Sequence, residues 1–295
     1  MISTDTPAKD QDRSPSPEWD DALLLSPHTV ADKRGRVQRM FAAIAPSYDL
    51  NNRLHSLWMD EHWRGATVAL AKVAPSDAIV DVACGTGDLT LKFAQALCDA
   101  VNRGQGNRYP VLPPRDRVMG IDFTYEMLPL ARDKASRRAV KGVGGAFNFG
   151  QITQFVCGDA TALPRESASA DVVSIAFGIR NVADPAAAIG EFFRILRPGG
   201  RLLILEFSLP MNPILRGLYN FYFRKILPRT ATLISGDRSG AYKYLPESVN
   251  TFIGREQMAK MMRSAGFSQV EQFPMTFGVS VCYRGVKPGE AGAPT

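Results

Sequence analysis

The chain has 295 residues, 45% hydrophobic and 22% charged, with a formal net charge of +6. That length suits one α/β domain with additions, and the scattered charge, without a Lys/Arg run, argues against a nucleic-acid partner. Cys84, Cys98, Cys157 and Cys282 lie far apart with no zinc spacing, and His28, His55 and His62 are too few and scattered, so no metal site is expected.

Residues 1–30 are rich in Pro, Ser and charge and lack an apolar signal segment, so a disordered extension is expected there. No apolar run is long enough to span a membrane. A cytoplasmic protein is expected, with contact at the inner face of the membrane left open. The folded domain is expected over 31–286, followed by a disordered tail over 287–295. Its first part, 31–75, has a helical pattern. Val37, Met40, Phe41 and Ile44 recur at helical spacing until Pro46 interrupts. A second helical stretch runs through Trp58 and Trp63 to Ala71, and Pro75-Ser76-Asp77 makes a turn.

From Ala78 apolar strands alternate with helices. Strands are expected over Ala78–Ala83, Val118–Phe123, Thr153–Cys157, Asp171–Phe177 and Arg201–Phe207. Helices are expected over Leu89–Leu97, Tyr125–Ala135 and Ala186–Leu196, the last stopped by Pro198-Gly199-Gly200. Such alternation means a parallel sheet covered on both faces. A helix over Arg255–Ala265 ends at Gly266, and strands near Ser268–Phe273 and Thr276–Arg284 follow a few residues apart. So short a link permits a hairpin and no crossover, which turns the last strand antiparallel. The expected fold class is α/β and Rossmann-like: a seven-stranded, mostly parallel sheet with an antiparallel last strand and helices on both faces. Residues 99–116 and 137–151 are expected to be surface insertions.

The strongest local signal is Asp81-Val82-Ala83-Cys84-Gly85-Thr86-Gly87-Asp88, which ends the first strand and opens a helix. Glycines there let the backbone turn sharply and approach a ligand closely. A dinucleotide fingerprint needs a third glycine, and Thr90 stands in that place, which argues against a nicotinamide oxidoreductase. The D-x-A-x-G-T-G form instead resembles motif I of S-adenosylmethionine methyltransferases. The resemblance implies cofactor contacts from Asp81, Gly85, Thr86 and Gly87. It implies that Asp122, ending the second strand, takes the ribose hydroxyls, and that Asp159 and Ala160, after the third strand, hold the adenine. Ala176 stands where such enzymes often carry Ser, so a contact there runs through the backbone. The competing structural readings are a helix cap for Asp122 and a turn residue for Asp159.

Phe177-Gly178-Ile179-Arg180-Asn181-Val182 resembles the F-G-[LI]-R-N-V motif of the ubiquinone/menaquinone C-methyltransferase family, within the class I methyltransferases. Arg197-Pro198-Gly199-Gly200-Arg201 and Leu205-Glu206-Phe207-Ser208 are similar to its R-P-G-G-R and L-E-F-S signatures. Phe41, Tyr48-Asp49 and Asn52 fit its entrance segment; Leu227-Pro228 and Tyr242-x-Tyr244-Leu245-x-x-Ser248 fit further on. The family's His-Arg-x-Trp-Lys stretch reads Asp60-Glu61-His62-Trp63-Arg64 here.

The resemblance implies methyl transfer from S-adenosylmethionine to a ring carbon of a prenylated quinol, with demethylmenaquinol as the leading acceptor and a benzoquinol as the other. Arg180 and Asn181 are the expected catalytic pair, orienting the quinol oxygen or a water that takes its proton; the alternative for Arg180 is a structural ion pair. Tyr48, Asn52, Tyr242 and Tyr244 are the expected acceptor-binding residues, although tyrosines at those places also suit a core. The stretch Leu218–Leu227 suits a prenyl tail, or a membrane surface through Arg224, Lys225 and Arg229. Methylation of another lipophilic substrate, and a non-catalytic role in a quinone-synthesis assembly, stay open. A homodimer is one expectation for the assembly.

Overall fold

The computed structural model describes residues 18–103, 111–142, 147–235 and 239–289. A sheet of seven strands runs in the order β3-β2-β1-β4-β5-β7-β6. These are β1 (Ile79–Val82), β2 (Val118–Asp122), β3 (Thr153–Cys157), β4 (Ala170–Ala176), β5 (Leu196–Phe207), β6 (Ser268–Met275) and β7 (Ser280–Val286). The first five pair in parallel, and β7 runs antiparallel between β5 and β6. Strands β6 and β7 form the hairpin expected from their short link, and residues 276–278 of that link form a 3-10 turn in place of the strand start expected there.

The strands pack on both faces because their side chains alternate. Ile79, Val118, Val172 and Leu203 join one apolar cluster with residues of α3 (Met59–Ala71), α4 (Asp88–Asn102) and α5 (Met127–Arg137). Val80, Met119, Val173 and Leu202 join a second with α6 (Pro185–Ile195) and α10 (Arg255–Ser264). Strand β5 begins earlier than expected: Leu196 already pairs with Ala170, and the register jumps to Arg201 opposite Val172. The Pro198-Gly199-Gly200 turn is therefore a bulge inside a strand, with Gly199 at φ +79°.

A third cluster, away from the sheet, makes a cap. It joins α1 (Lys33–Ile44) to α8 (Leu227–Ser235) and α9 (Ala241–Asn250) through Val37, Met40, Ile44, Leu227, Ala231, Tyr242 and Tyr244. Helix α7 (Pro213–Phe221) continues into α8 through a π turn over Tyr222–Ile226. The expected second helical stretch is two helices, α2 (Tyr48–Ser56) and α3, because Leu57 and Trp58 both take left-handed backbone conformations.

The expected disordered extension over 1–30 differs from what is found beyond Glu18. Trp19 and Leu24 are buried in the cap cluster, and the Trp19 ring lies 4.3 Å from that of Tyr244. Two large apolar side chains outweigh the polar composition around them. Residues 1–17 lie outside the described residues, as do 104–110 and 143–146 of the two expected insertions and 290–295 of the expected tail. Residues 99–102 of the first insertion belong to α4, and Lys287 of the tail bonds to Gly199 and Gly200.

Candidate active site

Two cavities open beneath the cap, and the strand ends build the first. About 370 Å³ in volume, it is walled by Val82, Gly85, Asp122, Asp159, Ala160, Ala176 and Asn181, with Arg34, Phe41 and Tyr48 from the cap. It lies where the chain leaves β1 and β4 on opposite courses, the switch point at which α/β sheets bind cofactors. The second, about 220 Å³, is walled by α2 and α3, by the cap and by the strand-end aromatics. Asn52, Asp60, Trp63, Arg64, Arg180, Phe207, Phe223 and Tyr242 line it. Tyr48 and Phe177 line both cavities and so form the partition between them.

The loop after β4 is built tightly to make that partition. Phe177 takes φ +56°, a conformation costing a non-glycine residue about 1–3 kcal/mol that is tolerated at functional sites. Its ring is held by Phe207 at 4.5 Å. A Cβ on Gly178 would meet that of Ala83 at 2.6 Å, so only glycine lets the loop close on the β1 turn. Past the buried Ile179, Arg180 and Asn181 then face different ways: Arg180 lines the second cavity and Asn181 the first.

Asp122 is 8% exposed and receives one backbone N–H on each oxygen, from Gly85 and Thr124, both at 2.7 Å. Burial pushes its carboxyl up, and those two donors counter it. It does not cap a helix, since α5 starts at Met127. Each oxygen keeps acceptor capacity on the cavity wall. Asp159 does make a turn, accepting from the Thr161 N–H and hydroxyl, and its other oxygen pairs with Arg34 at 2.9 Å. Arg34 also lies over the Phe123 ring, 4.4 Å from its centre, so α1 closes this end of the cavity.

Three of the expected cofactor residues are not brought to the cavity wall by their side chains. Asp81 is 1% exposed and accepts from the hydroxyls of Thr90 at 2.6 Å and Ser174 at 2.7 Å. It ties β1, α4 and β4 together, and burial pushes its carboxyl up to about 6. Thr86 turns to the far side of its loop, donating to Asp49 and accepting from Lys134. Gly87, at φ +86°, packs where a Cβ would meet the Phe155 ring at 3.1 Å. Its role in the structure is close packing of helix on sheet.

Arg180 is 2% exposed and makes the ion pair that the sequence left as an alternative: its Nη1 donates to Glu206 at 2.8 Å and to the Phe177 carbonyl. Its Nε donates to Ser248 Oγ at 3.2 Å, and Nη2 has no hydrogen bond among the described residues. Tyr244 lines neither cavity. It is fully buried, and its hydroxyl donates to Asn181 Oδ1 at 3.0 Å. It holds a loop residue from behind, as a core tyrosine with a satisfied hydroxyl does. Asp60 and Arg64 were missed by sequence reasoning. They form a buried ion pair on the second cavity's wall, with Ser56 donating to Asp60 at 2.7 Å. The signal was present as an acid and a base four apart on one helix face, next to Trp63.

The first cavity suits S-adenosylmethionine. A buried carboxylate with acceptor capacity on the wall would suit a ribose, Asp159 and Ala160 would present polar edges to a base, and Thr90, where a dinucleotide fold needs its third glycine, is hydrogen-bonded to Asp81. Sheet order, switch-point cavity and loop together define a class I S-adenosylmethionine-dependent methyltransferase. Comparison with known proteins narrows the class. The profile of the ubiE/COQ5 methyltransferase family matches residues 28–287, and the chain belongs to that family. It is 39% identical to the demethylmenaquinone methyltransferase of Deinococcus radiodurans over 87% of this chain and 94% of that protein. It is 41% identical to the protein of the same name from Thermus thermophilus, over 84% of this chain and 100% of that one. It is 36% identical to the ubiquinone/menaquinone biosynthesis C-methyltransferase of Geobacter sulfurreducens, over 89% and 93%. Among solved structures, a chain of the complex between the Haloferax volcanii Trm112 methyltransferase activator and a methyltransferase has a similar fold. Its TM-score is 0.51 at 18% identity, over 85% of this chain and 100% of that one.

Proposed function

We propose that the protein C-methylates a prenylated quinol, with demethylmenaquinol as the acceptor, and that the second cavity receives the ring. The observation that carries this reading is the partition: an apolar, aromatic-walled cavity meets the cofactor cavity only across Tyr48 and Phe177. The bound cofactor supplies a methyl group already activated on a sulfonium. The chain's own work is then to orient the ring, exclude water and remove a hydroxyl proton.

Gly85, Asp122, Asp159, Ala160 and Ala176 would hold the cofactor in this reading, with Asn181 on the wall of the same cavity. Tyr48, Asn52 and Tyr242 shape the ring site. Arg180 stands on the acceptor side, where its fixed charge stabilises the quinolate and orients the water that takes the proton. Glu206 and Ser248 keep that guanidinium in place. Arg180→Ala tests the assignment: turnover is lost while the affinity for S-adenosylmethionine stays within about threefold, as expected for an interaction made on the acceptor side. Equal loss of both would contradict it.

The prenyl tail is taken to run along Phe223 and Leu227, towards a membrane surface met by α7 and the π turn. Met211, Ile214, Leu218 and Phe221 form an exposed apolar stripe on the outer side of this arm, at 61–82% exposure. No Asp or Glu occurs from 211 to 235, whereas Arg216, Lys225 and Arg229 are exposed there. Arg224 is paired with Glu247 and contributes less. Among the described residues no helix is long and apolar enough to cross a membrane. An apolar stripe flanked by bases suits peripheral contact with anionic lipid.

A further inference from the structure

The loop that carries Arg180 and Asn181 is gripped from outside by a residue that neither cavity contains. Lys33, at the start of α1, is 5% exposed, and all three of its ammonium protons have acceptors. Nζ lies 2.9 Å from the Arg180 carbonyl, 2.8 Å from the Val182 carbonyl and 3.4 Å from His28 Nδ1. The two carbonyls flank Asn181, so a single cation pins the backbone on both sides of it. His28 completes the arrangement. Its Nε2 lies 2.9 Å from the Ser248 carbonyl, and with the proton there its Nδ1 is free to accept from Lys33. The hydroxyl of the same Ser248 accepts from Arg180 Nε. On the other side Tyr244 holds the Asn181 side chain, and Trp19 packs on Tyr244.

We propose that Lys33 is a positioning residue for methyl transfer: its ammonium clamps the backbone around Asn181 and so keeps Arg180 facing the acceptor cavity while Asn181 faces the cofactor cavity. This rests on the roles given to those two residues above. A buried ammonium beside a guanidinium carries a desolvation cost that its acceptors must offset. What the ammonium adds is three charge-assisted bonds that fix a short irregular loop. The charged and titratable groups facing it are His28 from the preceding segment and Arg180 from the loop, the latter neutralised by Glu206 on β5.

The protonation of Lys33 gives a distinctive readout. Burial first, then the Arg180 charge, lower its pKa from 10.5 to about 8. Above that pH the amine keeps two donors and loses the charge that strengthens them, so the clamp loosens. Stability responds in the opposite sense. The unfolded chain binds the extra proton between about pH 8 and 10.5, so this residue's contribution to stability rises with pH across that window and is lost as pH falls through about 8. A residue that only supported the fold would move rate and stability together.

The test compares the unaltered protein with Lys33→Met at pH 7 and pH 9, reading kcat, the Kd for S-adenosylmethionine by calorimetry, the Tm, and amide hydrogen exchange. At pH 7 the variant is expected to lose about tenfold or more in kcat with the Kd changed by less than about threefold, and at pH 9 the deficit is expected to shrink. Exchange at the amides of 179–182 is expected to quicken, with β4 unchanged. Should Lys33→Met fail to fold, Lys33→Gln, which keeps a neutral donor, is expected to have a smaller deficit that likewise shrinks at pH 9, because the unaltered protein loses its charge there. Unchanged kcat, or a deficit that is constant with pH and matched by cofactor affinity, overturns the clamp. If the unaltered protein does not turn over the quinol, the acceptor reading fails, and the exchange of 179–182 still decides the clamp: unchanged exchange overturns it.

Discussion

Asp81 and Asp122 lie on adjacent strands of the sheet, and their surroundings give them different tasks. Asp122 meets the first cavity, while Asp81 is enclosed by the Thr90 and Ser174 hydroxyls. Removing charge should separate them. Asp122→Asn is expected to weaken S-adenosylmethionine binding by about ten- to a hundredfold in a calorimetric titration, the range for a charged hydrogen bond lost to a ligand. Asp81→Asn is expected to leave that affinity nearly unchanged and to act on stability. The folded carboxyl titrates near 6, above its unfolded value, so the stability it contributes is full below about pH 4 and is lost as pH rises through 6. Tm measured from pH 4 to pH 7 should therefore fall less steeply in Asp81→Asn. A variant with the same slope as the parent, or one that loses cofactor binding, would return Asp81 to the cofactor site. Only part of this was legible in the sequence. The glycine turn and the acid at the end of each strand follow from local rules, whereas Gly85 faces the cavity and its neighbour Thr86 faces Asp49 and Lys134 through a loop conformation that spacing does not encode.

Among the elements, the arm of α7, the π turn and α8 is the one whose pattern fits neither a plain surface helix nor a buried one. Tyr219, Phe223 and Leu227 belong to the inner side, with the latter two on the wall of the second cavity, while Leu218 and Phe221 are exposed. A helix apolar on both sides and bordered by bases is expected to rest on lipid. Leu218→Ser with Phe221→Ser is expected to reduce sedimentation with vesicles containing anionic lipid, while turnover of a short-chain, water-soluble quinol is kept. Unaltered sedimentation would sink the membrane reading, and loss of turnover on the soluble quinol would assign the stripe to the fold. The sheet and its helices were legible because periodicity is a local property: β3 has the bounds expected of it, and the other core elements shift by a few residues. The cap was not, since it is made by contacts between distant segments. Trp19 lies within a polar stretch, and nothing near it in sequence announces that it will meet Tyr244.

For the whole molecule, the proposed function divides labour between a cavity at the strand ends for the cofactor and a second cavity beneath the cap for the acceptor, with residues of one loop, Phe177 to Val182, on the walls of both. That division rests on the family's chemistry being performed here on a quinol ring. The most direct measurement is single-turnover incubation of the protein with S-adenosylmethionine bearing a labelled methyl group and a short-prenyl demethylmenaquinol, with the product read by mass spectrometry. The account predicts one labelled methyl on a ring carbon, absent with Arg180→Ala. A label found on oxygen, or none on the quinol although the cofactor binds, would contradict it.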